Sequence, residues 1–216
     1  EKQEPLSNPR LEKQLECEVL LLSLCRLIER KNLKSAIEAF AQFQSRFPTL
    51  NVKYAIAGDG PQLAVLRGLA SRLCREGSVM LLGRVSDADK TLLYSQANVF
   101  IHPHISLNGG RDVEGFGLVI AEAMDWGLAV IAGQEGGASD FVADGETGLI
   151  VDGRKVEVLR DAIAQVVTDD QLCGSLGQQA KAWVAENLSW DDHARVICSA
   201  MCHGVLPTEQ ATEGVR

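Results

Sequence analysis

Six short apolar runs, each followed by a segment of different character, constrain the fold of this chain more than any other feature. The first run, 19–24, is apolar except for Ser23, which is typical of a strand buried on both faces of a parallel sheet. The other runs are 52–57, 79–82, 99–102, 128–132 and 148–151. Short strands that alternate with helices predict a single Rossmann-like α/β domain with a doubly wound parallel sheet. Ligands of such sheets bind in the crevice outside the carboxyl ends of the strands.

Composition narrows the function classes. The chain has 216 residues, enough for one α/β domain, and 46% of them are hydrophobic. The formal net charge of −8 argues against a nucleic-acid-binding surface. No apolar run approaches the roughly 18 residues that span a bilayer, and the polar N-terminus predicts no signal peptide.

The cysteines predict a cytoplasmic protein rather than a disulfide-bonded one. The chain has six cysteines and no Cys-x-x-Cys pair, so reduced thiols are expected. Cys198, Cys202 and His203 have helical spacing, but no further ligand cluster accompanies them. No metal site is therefore predicted.

The chain is expected to divide into three parts. Residues 1–17 contain two prolines amid charged residues, which predicts a linker or the stub of an interdomain segment rather than a core element. Residues 18–203 form the Rossmann-like domain, and residues 204–216 are expected to be a disordered tail. Within the domain, helices are predicted to open at Pro61 and after an N-cap at Ser86, and a last helix spans about 190–201.

The segment 114–122, which follows the fourth run, carries the main functional signal. It reads Glu-Gly-Phe-Gly-Leu-Val-Ile-Ala-Glu, with Gly115 and Gly117 where a helix begins. Glycines there let a ligand approach the backbone, and the N–H groups of the first helical turn form an anion site. Eight helical positions span about 12 Å, so Glu114 and Glu122 cannot meet one small group. One elongated ligand can touch both, because carboxylates accept hydrogen bonds from hydroxyl groups.

This Glu-x7-Glu pattern, with its two glycines and apolar helix, resembles the group 1 (family 4) glycosyltransferases of GT-B architecture, and in particular their C-terminal, donor-binding domain. The resemblance covers about Glu18 to Met201. It implies metal-independent transfer of a hexose, with retention, from a nucleoside diphosphate sugar to an acceptor hydroxyl. It also implies that an N-terminal Rossmann domain, missing here, holds the acceptor and provides any membrane contact. The chain alone is therefore expected to bind nucleotide weakly and to be inactive.

The resemblance assigns three catalytic residues, Arg26, Lys31 and Glu114. Arg26 and Lys31, after the first strand, match the pair that grips the donor's diphosphate. The alternative is that they form a solvated basic turn with Arg30. The family often has Gly where this chain has Cys25 and Asn32, but Asn tolerates a left-handed backbone. Glu114 matches the carboxylate near the reacting carbon. The sequence leaves open whether it acts as a nucleophile or stabilises positive charge.

The remaining donor contacts also come from the resemblance. They are Gly58, Gly60, Arg84, Val85, Gly115, Phe116, Gly117, Leu118 and Glu122. Glu122 is assigned to the ribose hydroxyls, because apolar neighbours suggest a mostly buried helix in which a carboxylate needs a partner. No cofactor is expected beyond the substrate, a UDP-, GDP- or ADP-sugar, and the sequence does not choose among them.

Other signals are weaker or support rival functions. Histidines beside a strand end, such as His102 and His104, are more often structural than catalytic. Arg111 and Asp112 weakly suggest an exopolysaccharide (colanic-acid) type of transferase, and the role of Asp140 is doubtful. One rival is a nucleotide-sugar epimerase of the same architecture. Another is a non-catalytic subunit of a split transferase. A dinucleotide enzyme is disfavoured because no GxGxxG follows the first strand.

Overall fold

Six parallel strands form one sheet in the computed structural model, which describes residues 8–188 and residue 198. The strands are β1 (Val19–Leu24), β2 (Val52–Ala57), β3 (Val79–Gly83), β4 (Val99–His102), β5 (Ala129–Gly133) and β6 (Leu149–Val151). The helices are α1 (Pro9–Leu15), α2 (Leu33–Arg46), α3 (Leu63–Leu73), α4 (Asp87–Gln96), α5 (Leu118–Asp125), α6 (Val156–Thr168) and α7 (Asp170–Asn187). Short 3₁₀ turns at Glu29–Lys31, Asn108–Gly110 and Gly137–Asp140 follow β1, β4 and β5.

The sheet order is β3-β2-β1-β4-β5-β6, with parallel pairing throughout. The chain moves outward from β1 to β3, then returns to the other side of β1 and moves outward again. The strand order therefore reverses between β1 and β4, the point at which doubly wound sheets bind ligands. The predicted doubly wound parallel sheet is confirmed.

Apolar side chains on alternate sides of each strand join two helical layers. Leu21 belongs to the cluster that includes α2, α3 and α6. Leu20 and Leu22 belong to the cluster on the other face, with α1, α4, α5 and part of α7. Both faces of the central strands are thus covered, which explains why β1 is apolar almost without interruption.

The N-terminal segment corrects one prediction, because residues 9–15 form a helix and contribute to the core. Asn8 caps α1 by accepting a hydrogen bond from the Leu11 N–H at 3.3 Å, and Pro9 occupies the first turn. Leu11 and Leu15, four positions apart, are buried. The prediction rested on the prolines and charges and did not take the helical spacing of the two leucines into account.

Other boundaries differ slightly. The helix expected to open at Pro61 begins at Leu63, because the Leu63 N–H closes a turn onto the Gly60 carbonyl at 3.1 Å. Ser86 caps α4 as predicted, accepting from the Asp89 N–H. The predicted last helix, 190–201, and the tail, 204–216, lie outside the described residues except for residue 198.

Candidate functional site

The loop after β1 is held by close backbone packing at two glycines. A Cβ on Gly58 would lie 1.9 Å from the Cys25 carbonyl oxygen, and a Cβ on Gly60 would lie 2.5 Å from the Leu27 carbonyl oxygen. The Leu27 N–H also donates to the Asp59 carbonyl at 2.9 Å. Gly58 and Gly60 therefore have a packing role that the sequence did not reveal. Their contact with a nucleotide stays a prediction.

A left-handed residue ends this loop and directs Lys31 inward. Asn32 has φ 53° at the end of the 3₁₀ turn, as its tolerance for that conformation allows. Its side-chain amide donates to the carbonyls of Gly153 at 2.6 Å and Pro103 at 3.1 Å. The loop is thus tied to the segments after β4 and β6. As a result Lys31, an unusual residue to find in a protein interior, is only 7% exposed.

Glu114 lies in the segment between β4 and α5, which brings it to Lys31. The segment carrying Glu114 packs against Gly136 and Gly137, and the Gly137 N–H donates to the Glu114 carbonyl at 3.2 Å. Glu114 is 8% exposed, and its carboxylate accepts a hydrogen bond from the Lys31 ammonium. Nε2 of His102 lies 3.3 Å from Lys31 Nζ and 3.8 Å from Glu114 Oε2. The structure thus brings together two of the three predicted catalytic residues and adds His102, for which the sequence favoured a structural role.

The other cations of the loop differ from each other. Arg30, which the sequence suggested only as part of a basic turn, donates from Nη1 to Asp112 Oδ1 at 2.9 Å. Its Nε lies 3.5 Å from Glu114 Oε2, so Arg30 is a second cation on the same carboxylate. Arg26 is exposed, and no hydrogen bond or ion pair holds its guanidinium within residues 8–188. The resemblance assigned Arg26 alone, and nothing else in the sequence singled out Arg30 within the same short loop.

Burial and pairing set the protonation of this cluster, which consists of Lys31, His102 and Glu114. Burial opposes the charged form of Glu114, but the nearby His102 ring and the Lys31 ammonium, which donates to the carboxylate, hold its pKa well below the usual range. Burial lowers the pKa of His102 to about 4, so its imidazole is neutral near pH 7. The cluster therefore contains an ionised carboxylate, a lysine and a neutral imidazole.

The entrance of α5 has the form predicted for an anion site. Gly117 precedes the helix with φ 74°, a left-handed conformation, and no side chain caps the first turn. Gly115 has open space around its Cα, where an added Cβ would meet nothing within 4 Å. Phe116 and Leu118 are 45% and 63% exposed, and the Phe116 ring stacks on Phe141 with centroids 4.7 Å apart. Backbone donors and exposed apolar side chains thus surround the mouth beside Glu114.

Glu122 lies in a different environment from the one predicted. Its side chain is 41% exposed, so α5 is not buried on this side. Lys90 Nζ donates to Glu122 Oε1 at 2.8 Å, and the Tyr94 hydroxyl donates to Oε2 at 2.9 Å. The inference that Glu122 needs a ribose to satisfy it is therefore wrong, because α4 supplies both partners. A role in ribose binding stays a prediction.

An open groove of about 250 Å³ lies beside Glu122. Its lining is Asp87, Lys90, Thr91, Tyr94, Glu122, Asp125 and Trp126. A larger hollow, of about 450 Å³, lies between α3 and the edge strand β3, away from the predicted site residues. Of these two, only the groove beside Glu122 includes a predicted site residue.

The segment after β3 holds the last two predicted contacts. Arg84 is exposed and Val85 is half-buried, in contact with the cluster that includes α4 and α5. The preceding Gly83 accepts a hydrogen bond from the Gly58 N–H at 2.7 Å. This bond ties the β2 and β3 loops together at the same edge of the sheet, but it does not show a side-chain role for Arg84. Asp140, whose role was doubtful, is exposed.

Metal clusters and membrane-spanning helices are both absent from the described part of the chain. Within residues 8–188, no three His, Cys, Asp or Glu side chains are grouped so that they could hold a metal ion. Over the same range, no helix has both the length and the apolar character needed to cross a bilayer. The candidate zinc ligands Cys202 and His203 lie outside this range.

A match to a family model identifies the class of protein. The model of the family "Glycosyl transferases group 1" matches residues 10–183, and the chain belongs to this family. The predicted family is therefore confirmed. A curated relative in Mycolicibacterium smegmatis, named GDP-mannose-dependent alpha-(1-6)-phosphatidylinositol monomannoside mannosyltransferase, is 32% identical over 171 residues. That match covers 79% of this chain and 44% of the relative, so the chain spans less than half the relative's length.

Solved structures support the fold. The Anabaena protein HepE in complex with UDP superposes with a TM-score of 0.78 at 22% identity, over 91% of this chain and 53% of that one. The C-terminal domain of a glycosyl transferase group 1 family protein from Francisella tularensis gives 0.72 at 19% identity. That match covers 86% of this chain and 95% of the Francisella chain.

Proposed function

We propose that this chain is the donor-binding part of a retaining glycosyltransferase. It moves a hexose from a nucleoside diphosphate sugar to an acceptor hydroxyl without a metal ion. The observation that carries the proposal is the contact between Lys31 and Glu114 at the carboxyl ends of β1 and β4. A cation and a carboxylate from two adjacent strands thus meet where such sheets bind ligands. Family membership makes a transferase the reaction class to test first.

The positive charge for the donor's diphosphate comes from three sources. Arg26, exposed and unpaired within residues 8–188, offers a planar fork of donors that suits phosphate oxygens. The uncapped first turn of α5 offers backbone N–H groups and the positive end of a helix dipole. Lys31 adds a third source beside Glu114. These groups stabilise the negative charge that develops on a departing nucleoside diphosphate. Because they would take the place of a metal ion, we propose that the reaction needs none.

Glu114 is assigned to the sugar rather than to covalent attack. Its Oε2 accepts from Lys31 and lies 3.5 Å from Arg30 Nε. Although burial opposes the charged form, His102 and Lys31 lower its pKa and keep it ionised. A carboxylate with so low a pKa is a weak nucleophile but a good acceptor for hexose hydroxyls. We therefore propose that Glu114 orients the hexose and stabilises positive charge at the reacting carbon.

The donor and the acceptor side are proposed from the relatives. The M. smegmatis protein is named for GDP-mannose, and the HepE structure holds UDP. We propose GDP-mannose as the first donor to test and UDP-glucose as the second. We also propose that a further Rossmann domain holds the acceptor, as the resemblance implies, so this chain alone binds nucleotide weakly and transfers poorly.

Calorimetry of the full chain with GDP, UDP and ADP tests the proposal. We expect one of the three to bind. Arg26→Gln should weaken that binding about tenfold, the equivalent of about 1.4 kcal/mol. Arg72→Gln, which removes an exposed guanidinium from α3, is the matched control and should leave the affinity within about twofold. Absence of binding by all three nucleotides, or equal losses in the two variants, would overturn the proposal.

A further inference from the structure

His102 ends β4 with its ring fully buried between an ion pair and the core. Its ring packs against Phe100, with centroids 6.1 Å apart, and against His104, with centroids 5.3 Å apart. Nε2 lies 3.3 Å from Lys31 Nζ and 3.8 Å from Glu114 Oε2. Nδ1 is buried and has no hydrogen-bond partner within the described residues. One ring nitrogen thus faces both members of the ion pair, and the other faces none.

The free chain selects one tautomer of this ring. The Lys31 ammonium has only donors, so the Nε2 atom within hydrogen-bonding distance of it must be an acceptor. The proton of the neutral ring is then on Nδ1. In most sites a bond from the second nitrogen fixes the tautomer. Nδ1 of His102 has no such bond within residues 8–188, so Lys31 and Glu114 alone determine which nitrogen carries the proton.

Binding of a diphosphate changes the balance between Lys31 and Glu114 as partners of His102 Nε2. Phosphate oxygens attract the Lys31 ammonium, and Glu114 Oε2 then loses its closest donor and keeps the long contact from Arg30 Nε at 3.5 Å. A buried carboxylate that loses a donor is costly, so another donor nearby is favoured. Nε2 of His102 lies 3.8 Å from Oε2, beyond hydrogen-bonding distance but within about 1 Å of it. A small side-chain shift makes this bond if Nε2 carries the proton.

We propose that His102 is a positioning residue that accepts a hydrogen bond from Lys31 in the free chain and donates one to Glu114 when the donor's diphosphate engages Lys31. The ring stays neutral: one proton leaves Nδ1 to water and one proton from water joins Nε2. Glu114 therefore stays ionised and in place while Lys31 turns to the phosphate. This inference rests on the proposed function, because it requires a diphosphate at Lys31.

Nitrogen-15 NMR of the histidine rings tests the change of tautomer directly. Spectra of the full chain are recorded alone and with a saturating concentration of GDP, UDP or ADP, whichever binds. The His102 signals are identified by their loss in His102→Gln. We expect a bare Nε2 in the free chain and a protonated Nε2 with a bare Nδ1 in the complex. The same tautomer in both states, or protonation of both nitrogens in the complex, overturns the proposal.

Variants supply a second measurement. His102→Gln places an amide near the position of Nε2 that can accept from Lys31 or donate to Glu114, and we expect affinity for the nucleotide within about twofold of the unmodified chain. His102→Leu keeps the volume without the polar atom and should weaken binding about tenfold, the loss of one buried hydrogen bond. Thermal unfolding identifies any variant that does not fold. His104→Gln is the control, since Nδ1 of His104 bonds only a backbone carbonyl.

The outcomes separate the two proposals. If the unmodified chain binds none of GDP, UDP and ADP, the proposed function fails and this inference fails with it. If it binds one of them and His102→Leu binds equally well, only the inference fails. A loss in His102→Leu that His102→Gln restores, together with the tautomer change, supports it.

Discussion

The two carboxylates of the Glu-x7-Glu motif lie in opposite environments. The Glu114 side chain is 10% exposed and contacts Lys31 inside the domain. The Glu122 side chain is 41% exposed and pairs with Lys90 and Tyr94 on an open groove. Both are glutamates with a lysine partner, and the motif alone does not distinguish them.

Burial determines what each pair contributes. A buried ion pair contributes little net stability, yet removing one partner is costly because the remaining charge stays out of water. A half-exposed pair is screened by solvent and contributes little in either sense. A change at Glu114 should therefore affect both the stability of the fold and the proposed reaction, whereas a change at Glu122 should affect ligand binding with little effect on folding.

The largest expected effect is that of Lys31→Met. It leaves the Glu114 carboxylate buried with only Arg30 and His102 nearby, and we expect a loss of about 4 kcal/mol in the free energy of unfolding. Urea titration measures it. Lys34→Met, at an exposed position of α2, should change stability by less than about 0.5 kcal/mol. The double variant Lys31→Met, Glu114→Gln should recover part of the loss, and stability equal to the unmodified chain in Lys31→Met would refute the buried-pair argument.

The next largest loss of stability is expected from substitution of a glycine beside Glu114. Gly136→Ala places a Cβ 2.6 Å from the Glu114 carbonyl oxygen at a residue with φ +107°, so we expect a loss of about 3 kcal/mol in urea titration. Gly115→Ala meets nothing within 4 Å and should leave stability within about 0.5 kcal/mol. Since its methyl group would enter the proposed diphosphate site, it should nevertheless weaken nucleotide binding. Equal stability losses in the two variants would contradict the close packing at Gly136.

The pH dependence of stability should reveal the buried imidazole. Because burial lowers the pKa of His102 to about 4, the unfolded chain takes up a proton that the folded chain does not as pH falls below 6.5. Stability should therefore fall by about 2 kcal/mol between pH 6.5 and pH 5. Glu114 contributes little slope there, because it is ionised in the folded chain and mostly ionised in the unfolded chain above its ordinary pKa of 4.5. Its contribution to stability is lost as pH falls below about 4.5.

His102→Gln removes this titration and should flatten the decline, measured as urea midpoints at several pH values. A smaller slope should remain, because burial also lowers the pKa of His104. An unchanged slope in the variant would assign the pH dependence to other groups.

Glu122→Gln should have the smallest effect on folding. Its carboxylate is half-exposed, so losing the ion pair with Lys90 should cost less than about 1 kcal/mol in urea titration. If Glu122 binds the ribose, calorimetry should show weaker nucleotide binding in the same variant. A large loss of stability would place Glu122 in the same category as Glu114 and remove the contrast between the two carboxylates.

The family resemblance assigned Arg26, Lys31 and Glu114, and the parallel sheet explains why two of them meet. The carboxyl ends of β1 and β4 share one edge of the sheet, and the segments that follow them carry Lys31 and Glu114. These residues were thus predicted from the sequence. His102 and Arg30 were not, because a histidine at a strand end and an arginine in a basic loop are common in any α/β protein. The partners of Glu122 were missed as well, since Lys90 and Tyr94 lie on a helix 28 to 32 residues earlier in the chain.

The sequence by itself determined the family and a parallel sheet of buried strands, because apolar periodicity and glycine placement are local properties. Only the tertiary structure decided which charges are buried and which remain in water. Lys31 and Glu114 are 83 residues apart, and their contact depends on β1 pairing with β4. Burial and charge pairing arise from all the elements around a group, so the same residue type acts as a buried partner at position 114 and as a half-exposed one at position 122.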